Sequence, residues 1–284
     1  MTTAPAEPAP PDPETFTPSG DVTEDAALDL LDHGEFELEG RLVDASNTTL
    51  RAFLTLDGVN VRCVYKPVRG ERPLWDFPDG TLAGREVAAY LVSKAAGWDV
   101  VPPTVLRDGP LGPGACQLWI DEPDDGADLV GFVPVRRLPT GWFRIMSARD
   151  ETGRPYALAH ADDPRLAAMA AFDAVVNNAD RKGGHVIVGA AGRVYGVDHG
   201  VCFHTDDKLR TVLWGWADEP LPPEARETLR RLAGLLAGDL GKGLSALVTR
   251  GEVSAVGARI HRLLDTGRYP GPSPHRPAVP WPPI

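Results

Sequence analysis

The chain has 284 residues, enough for one large domain or for two lobes that share a cleft. Its hydrophobic share of 43% is ordinary for a globular protein, and no apolar run approaches the roughly 18 to 20 residues of a membrane span. A formal net charge of -11 argues against nucleic acid and anionic lipid as partners, but leaves nucleotides open, because a divalent metal bridges carboxylates to phosphates.

Residues 1–20 are rich in Pro, Ala, Glu and Thr, with almost nothing to bury. They read as a disordered tail, without the basic start or apolar stretch of a signal peptide. Thr23 caps a short helix that Gly34 ends. Three antiparallel strands follow: Phe36 to Val43, Leu50–Leu56 and Val59–Pro67. Lys66 closes the third; taken alone, it is a lysine reaching water from a strand end. Trp75 to Gly80 is a loop, and Thr81 is the N-cap of a helix from Ala83 to Ala96 that Gly97 stops. Glu86 lies early in that helix, where a solvated acid is favoured. Val100–Leu106 and Gly114–Ile120 read as two more strands, closing an α+β lobe near residue 121. The acidic stretch Asp121–Asp128 is a linker.

The second part reads as mainly helical. Asp163 and Pro164 start a helix that runs into the segment Phe172 to Phe203. There two apolar runs, Val186–Val188 and Val194–Val197, flank a Gly/Ala turn and predict a β-hairpin. Asn178, Asp180, Arg181, Lys182 and His185 precede its first strand; Asp198 and His199 follow its second. A hairpin brings those ends together, so Asp180, His185 and Asp198 converge although eighteen residues separate the two aspartates. Such a cluster suggests a metal or proton-transfer site. Residues 204–220 are irregular, with Trp214 and Trp216 expected to pack against helices. Two amphipathic helices, Pro223–Leu240 and Leu244–Leu264, precede a Pro-rich tail. The three cysteines, Cys63, Cys116 and Cys202, are scattered and read as structural, which fits a reducing cytoplasm. The expected organisation is a tail at 1–22, an N-lobe at 23–121, a C-lobe at 122–268 and a tail at 269–284.

Taken together, the pieces resemble the phosphatidylinositol 3-/4-kinase superfamily, most closely the type II phosphatidylinositol 4-kinases and their bacterial relatives. Val64-Tyr65-Lys66-Pro67 is similar to the strand that carries the ATP-contacting lysine. The segment Arg85 to Val92 with Val101-Pro102-Pro103-Thr104 resembles the family helix and its following strand. Gln117-Leu118-Trp119-Ile120 resembles the hinge strand. Phe172 to Arg181 is similar to the catalytic loop, and Val197-Asp198-His199-Gly200 to the metal-binding triplet. The likeness covers roughly residues 35–205. It is sharpest to an actinobacterial protein family that is itself only distantly similar to these lipid kinases.

The resemblance implies a two-lobed, protein-kinase-like α+β fold with a β-rich N-lobe, a mainly helical C-lobe and disordered Pro-rich termini. It implies ATP and Mg2+, with Mn2+ as an alternative ion. Lys66 would meet the α/β-phosphates and Glu86 would hold Lys66. Gln117, Leu118, Trp119 and Ile120 would face adenine. Asp180 would take the acceptor's proton, Asp198 would ligate metal, and Lys182 or Arg181 would add charge near the γ-phosphate. The family's metal-binding asparagine, five residues after the catalytic aspartate, is His185 here. A glycine-rich phosphate loop is missing, and Ser46-Asn47-Thr48-Thr49 is the candidate replacement.

The resulting expectation is an ATP-dependent phosphotransferase acting on a hydroxyl of a small molecule, protein or lipid, with the lipid least supported. It is cytoplasmic, without nucleic-acid partners or a transmembrane segment, and membrane association is not expected. The alternatives are a catalytically silent nucleotide-binding scaffold, an AMP-transferring enzyme on the same fold, and a metal-dependent hydrolase built on Asp180, His185, Asp198, His199 and His204.

Overall fold

The computed structural model describes residues 16–42, 47–123 and 128–284. The disorder expected of the first 15 residues, Ser46 and part of the acidic linker lie outside them.

Helix α1 (Glu24–His33) starts at Thr23, whose hydroxyl accepts the Ala26 amide. Strands β1 (Glu35–Arg41), β2 (Leu50–Leu56) and β3 (Val59–Pro67) form an antiparallel meander. Helix α2 (Leu82–Ala96) is capped by Thr81 and stopped by a left-handed Gly97. Strands β4 (Thr104–Gly109) and β5 (Gly112–Leu118) complete a five-stranded antiparallel sheet of order β1-β2-β3-β5-β4. The predicted strand at Val100–Leu106 thus begins later, at Thr104, because Pro102 and Pro103 supply no ladder amide. One side of this sheet packs on α1: Ala27, Leu30 and Leu31 meet Ala52, Leu54, Cys63 and Cys116 in a buried cluster. Against β5 the N-terminal end of α2 packs, with Ala83 and Val87 on Ala115.

Beyond the linker, a three-stranded antiparallel sheet appears that the sequence reading does not contain. Its order is β6 (Val130–Pro134), β8 (Pro155–Ala161), β7 (Trp142–Arg149). Helix α3 (Pro164–Val176) is capped by Asp163, and nine of its thirteen residues are buried. Asn177 ends it in the left-handed conformation. The expected hairpin follows as β9 (Val186–Val188) and β10 (Val194–Gly196).

Two long C-terminal helices were predicted, and three are found: α4 (Pro223–Leu236), α5 (Asp239–Ser245) and α6 (Arg250–Thr266). Gly238 breaks the first. Thr249 starts the last with a capping box, its hydroxyl on the Glu252 amide and the Glu252 carboxylate on the Thr249 amide. The C-terminal segment, expected to be disordered, is instead bound to the C-lobe. The Ala278 carbonyl accepts from Thr211 N–H and Trp214 Nε1, and the Pro283 carbonyl accepts from Gly183 N–H. With that correction the architecture is the expected α+β one: a β-rich N-terminal part and a mainly helical C-terminal part with one added sheet.

Candidate functional site

On the N-lobe side, β3 delivers Lys66 opposite Ala115 of β5, and α2 delivers Glu86, buried in its first turns. Lys66 Nζ lies 2.5 Å from Glu86 Oε1 and 2.9 Å from Asp198 Oδ1. The second Glu86 oxygen accepts the His199 amide at 2.9 Å. Burial alone would lower the lysine's pKa; the carboxylates of Asp198 and Glu86 overcome it and leave the ammonium firmly charged. Burial raises Glu86, with Lys66 opposing. Lys66 holds Asp198 well below the usual carboxylate range.

The C-lobe side is organised by a residue whose role the sequence did not disclose. Arg181 was a candidate for charge at the γ-phosphate, but its guanidinium is fully buried and faces inward. It donates to both Asp173 oxygens at 2.9 and 3.0 Å, to the His185 carbonyl at 3.2 Å and to the Val197 carbonyl at 3.1 Å. It also sits 2.7 Å from His199 Nε2. One side chain therefore ties the end of α3, the start of β9 and the end of β10. Gly196 is required here: a Cβ would stand 2.7 Å from the Arg181 nitrogen. Asn178 joins the same group, donating to Asp173 Oδ1 at 3.0 Å and accepting the Asp180 amide at 2.9 Å.

These supports present Asp180, Lys182, His185 and Asp198 to the cleft. Lys182 Nζ lies 3.2 Å from Asp180 Oδ2. Burial raises the Asp180 pKa, only partly opposed by Lys182, which suits a proton acceptor. His185 Nε2 lies 3.5 Å from Asp198 Oδ2. Burial lowers the imidazole to about 4 despite Asp198, so it is neutral at pH 7. Its Nδ1 is buried without a hydrogen-bond partner among the described residues. Asp198 itself has φ 61°, in the region that costs a non-glycine residue energy.

The cleft between the two sides has a volume of about 980 Å3. Lys66, Glu86, Asp180, Lys182, His185 and Asp198 all line it, as do Gln117, Leu118, Trp119 and Ile120. The Gln117 amide turns away and donates to Thr104 Oγ1. Asn47, Thr48 and Thr49 line the opposite rim, where the Asn47 side chain accepts the Arg72 amide.

Other candidates fall outside the cleft. The buried His199 ring is bonded to Arg181, and the His204 ring packs edge-on to Phe77 and accepts the Asp206 amide. Among the described residues no group of three or more His, Cys, Asp or Glu side chains is arranged to hold a metal, so the hydrolase reading loses its ligand cluster. Trp216 packs among Phe143, His160 and Tyr269, and all three cysteines are buried. Arg210, which lines the cleft, and Asp173 were not singled out by sequence. Asp173 belongs to an apolar helical run that hides its partner eight residues on.

No family model matches the chain. Among solved structures, it is similar to a Golgi casein kinase, with 14% identity and TM-score 0.48 over 88% of this chain and 79% of that one. It is also similar to the Helicobacter pylori proinflammatory kinase CtkA, with 9% identity and TM-score 0.39 over 84% and 94%. In sequence it is 49% identical over 261 residues to Protein Rv2133c of Mycobacterium tuberculosis, covering 89% of this chain and 94% of that protein. The chain belongs to the family of that mycobacterial protein.

Proposed function

We propose that the protein is an ATP-dependent phosphotransferase that moves the γ-phosphoryl group of ATP to a hydroxyl acceptor. The observation that carries this reading is the position of Lys66 Nζ, shared by Glu86 and Asp198 across a deep cleft whose other wall holds Asp180. Phosphoryl transfer asks the protein for charge neutralisation and alignment more than for covalent chemistry. Lys66 would neutralise the α/β-phosphates while Glu86 keeps it extended. Adenine would lie against Leu118, Trp119 and Ile120. The amides of Leu118 and Trp119 already donate to Pro103 and Arg62, so the Ile120 amide is the candidate reader. Asp180 would accept the acceptor's proton as its oxygen attacks the γ-phosphorus and ADP leaves.

Asp198 and the neutral His185 Nε2 fit part of a divalent ion's shell, one anionic oxygen beside one nitrogen. When bound, such an ion would neutralise charge on the β- and γ-phosphates. The likeness of the Lys66, Glu86, Asp180 and Asp198 segments to type II phosphatidylinositol 4-kinases and their actinobacterial relatives supports the same chemistry. No helix among the described residues is long and apolar enough to cross a membrane. With buried free cysteines, a cytoplasmic setting is the reading we adopt.

The test is nucleotide binding followed by transfer of label from γ- and from α-labelled ATP. Binding lost in Lys66→Ala and turnover lost in Asp198→Ala support the proposal; full turnover in Asp198→Ala would sink it. Transfer of the α-label alone would identify AMP transfer. One observation favours a silent nucleotide-binding protein: Lys66 pairs directly with Asp198, where the ion would act. Label incorporation into any acceptor excludes that reading.

A further inference from the structure

Each lysine that lines or borders the cleft is matched by a carboxylate. Lys66 pairs with Glu86 and Asp198, Lys182 with Asp180, and Lys208 with Asp76. Arg210 also lines the cleft and makes no ion pair among the described residues. It is not a loose surface group. Its Nε donates to the Ala179 carbonyl at 2.7 Å, its amide to the Asn178 carbonyl at 3.0 Å, and its carbonyl accepts the Arg181 amide at 3.0 Å. The backbone anchors are therefore Asn178 and Ala179 before Asp180 and Arg181 after it. A guanidinium tied down at Nε keeps its two terminal nitrogens as a fork for a carboxylate or phosphate. An unmatched, half-buried arginine lining the cleft, in a chain of net charge -11, calls for an anion supplied from outside.

From this we infer that Arg210 is the specificity residue for the acceptor, which is a hydroxyl compound carrying a phosphate or carboxylate group. The inference rests on the phosphotransferase reading and deepens it. Lys66 and Asp198 form the nucleotide-phosphate end of the cleft. Arg210 is fixed instead to the backbone on either side of Asp180, the residue that would face the attacking hydroxyl. An acceptor anion held by the Arg210 fork places its hydroxyl beside the Asp180 carboxylate. A neutral acceptor would leave the fork unpaired.

The experiment is a calorimetric titration of inorganic phosphate into protein already saturated with a non-hydrolysable ATP analogue and Mg2+, so that the γ-phosphate position is filled. Wild type is expected to bind phosphate. Arg210→Gln should weaken that binding at least tenfold with its affinity for the ATP analogue unchanged, and Arg210→Lys should fall between. Label transfer then compares glycerol 3-phosphate and glycerate with glycerol; the anionic pair should be preferred at least tenfold, and the better of the two names the anion. The proposal is overturned if phosphate does not bind to wild type, if Arg210→Gln binds it equally, if the variant loses nucleotide instead, or if glycerol is used equally well. A wild type that cannot be loaded with the ATP analogue before the phosphate titration overturns the phosphotransferase reading, and the acceptor assignment falls with it.

Discussion

Glu86 accepts the backbone amide of His199 with one carboxylate oxygen and the ammonium of Lys66 with the other. The residue that fixes the N-lobe lysine thus also fixes the loop carrying Asp198. Separating Lys66 from Glu86 and displacing Asp198 are not independent events.

Replacing Glu86 with alanine should therefore do more than free a lysine. It leaves the buried His199 amide without its acceptor, a loss of about 1–3 kcal/mol. The expected result is a lower urea midpoint together with at least tenfold weaker nucleotide binding. Glu86→Gln, which can keep the His199 bond, should recover more of the stability than of the binding.

Arg181→Met is expected to be more damaging to the fold. It strands the fully buried Asp173 carboxylate and leaves the Val197 carbonyl without its donor, while the His185 carbonyl keeps only the Val197 amide. Removing one partner from a buried ion pair costs about 3–5 kcal/mol. Urea denaturation of Arg181→Met and of Arg181→Met with Asp173→Leu checks this: the double variant should be more stable than the single one.

His185 gives a pH prediction for the metal-free protein. Its folded pKa is about 4, below the ordinary 6.5, because burial disfavours the imidazolium. The unfolded chain then binds this proton first, so stability declines as pH falls from 6.5 towards 4 and recovers as pH rises. The difference of 2.5 units corresponds to about 3 kcal/mol at full effect. His185→Asn should flatten that part of the stability–pH curve, and NMR titration of the ring should show a midpoint far below 6.5.

Asp180→Asn should retain ATP affinity and lose turnover by about 10²–10⁴-fold, the range for removing a positioned proton acceptor. In wild type, turnover should fall on acidification through a midpoint above the ordinary aspartate value of 3.8, because burial raises this carboxyl and Lys182 only partly offsets it. Parallel ATP titrations and initial rates separate binding from turnover.

Strand alternation, helix caps and a hairpin turn are local patterns that put Lys66, Glu86 and Asp198 on definite elements, but read alone they leave Lys66 and Glu86 as solvated charges, and only the family resemblance implied that the two pair. The hub around Arg181 was not legible in the sequence. Asp173 lies on a helix that Asn177 terminates, so no single periodicity relates it to Arg181. Arg210 follows an irregular run and is aimed only by carbonyls of another segment. The β6–β8–β7 sheet is missed because Arg144 and Arg149 interrupt its apolar pattern and a register shift near Arg144 breaks the alternation. The break between α4 and α5 hides behind leucines that continue past Gly238.

The residue beside Glu86 has a practical consequence. Arg85 is buried, with Nη1 2.6 Å from Glu252 Oε1 of α6 and further bonds to the Cys202 and Asp79 carbonyls. Cutting the chain in the acidic linker and producing the halves separately would expose an uncompensated arginine on one fragment and its glutamate on the other. Neither half is expected to fold alone, whereas mixing them should restore a helical signal and cooperative melting.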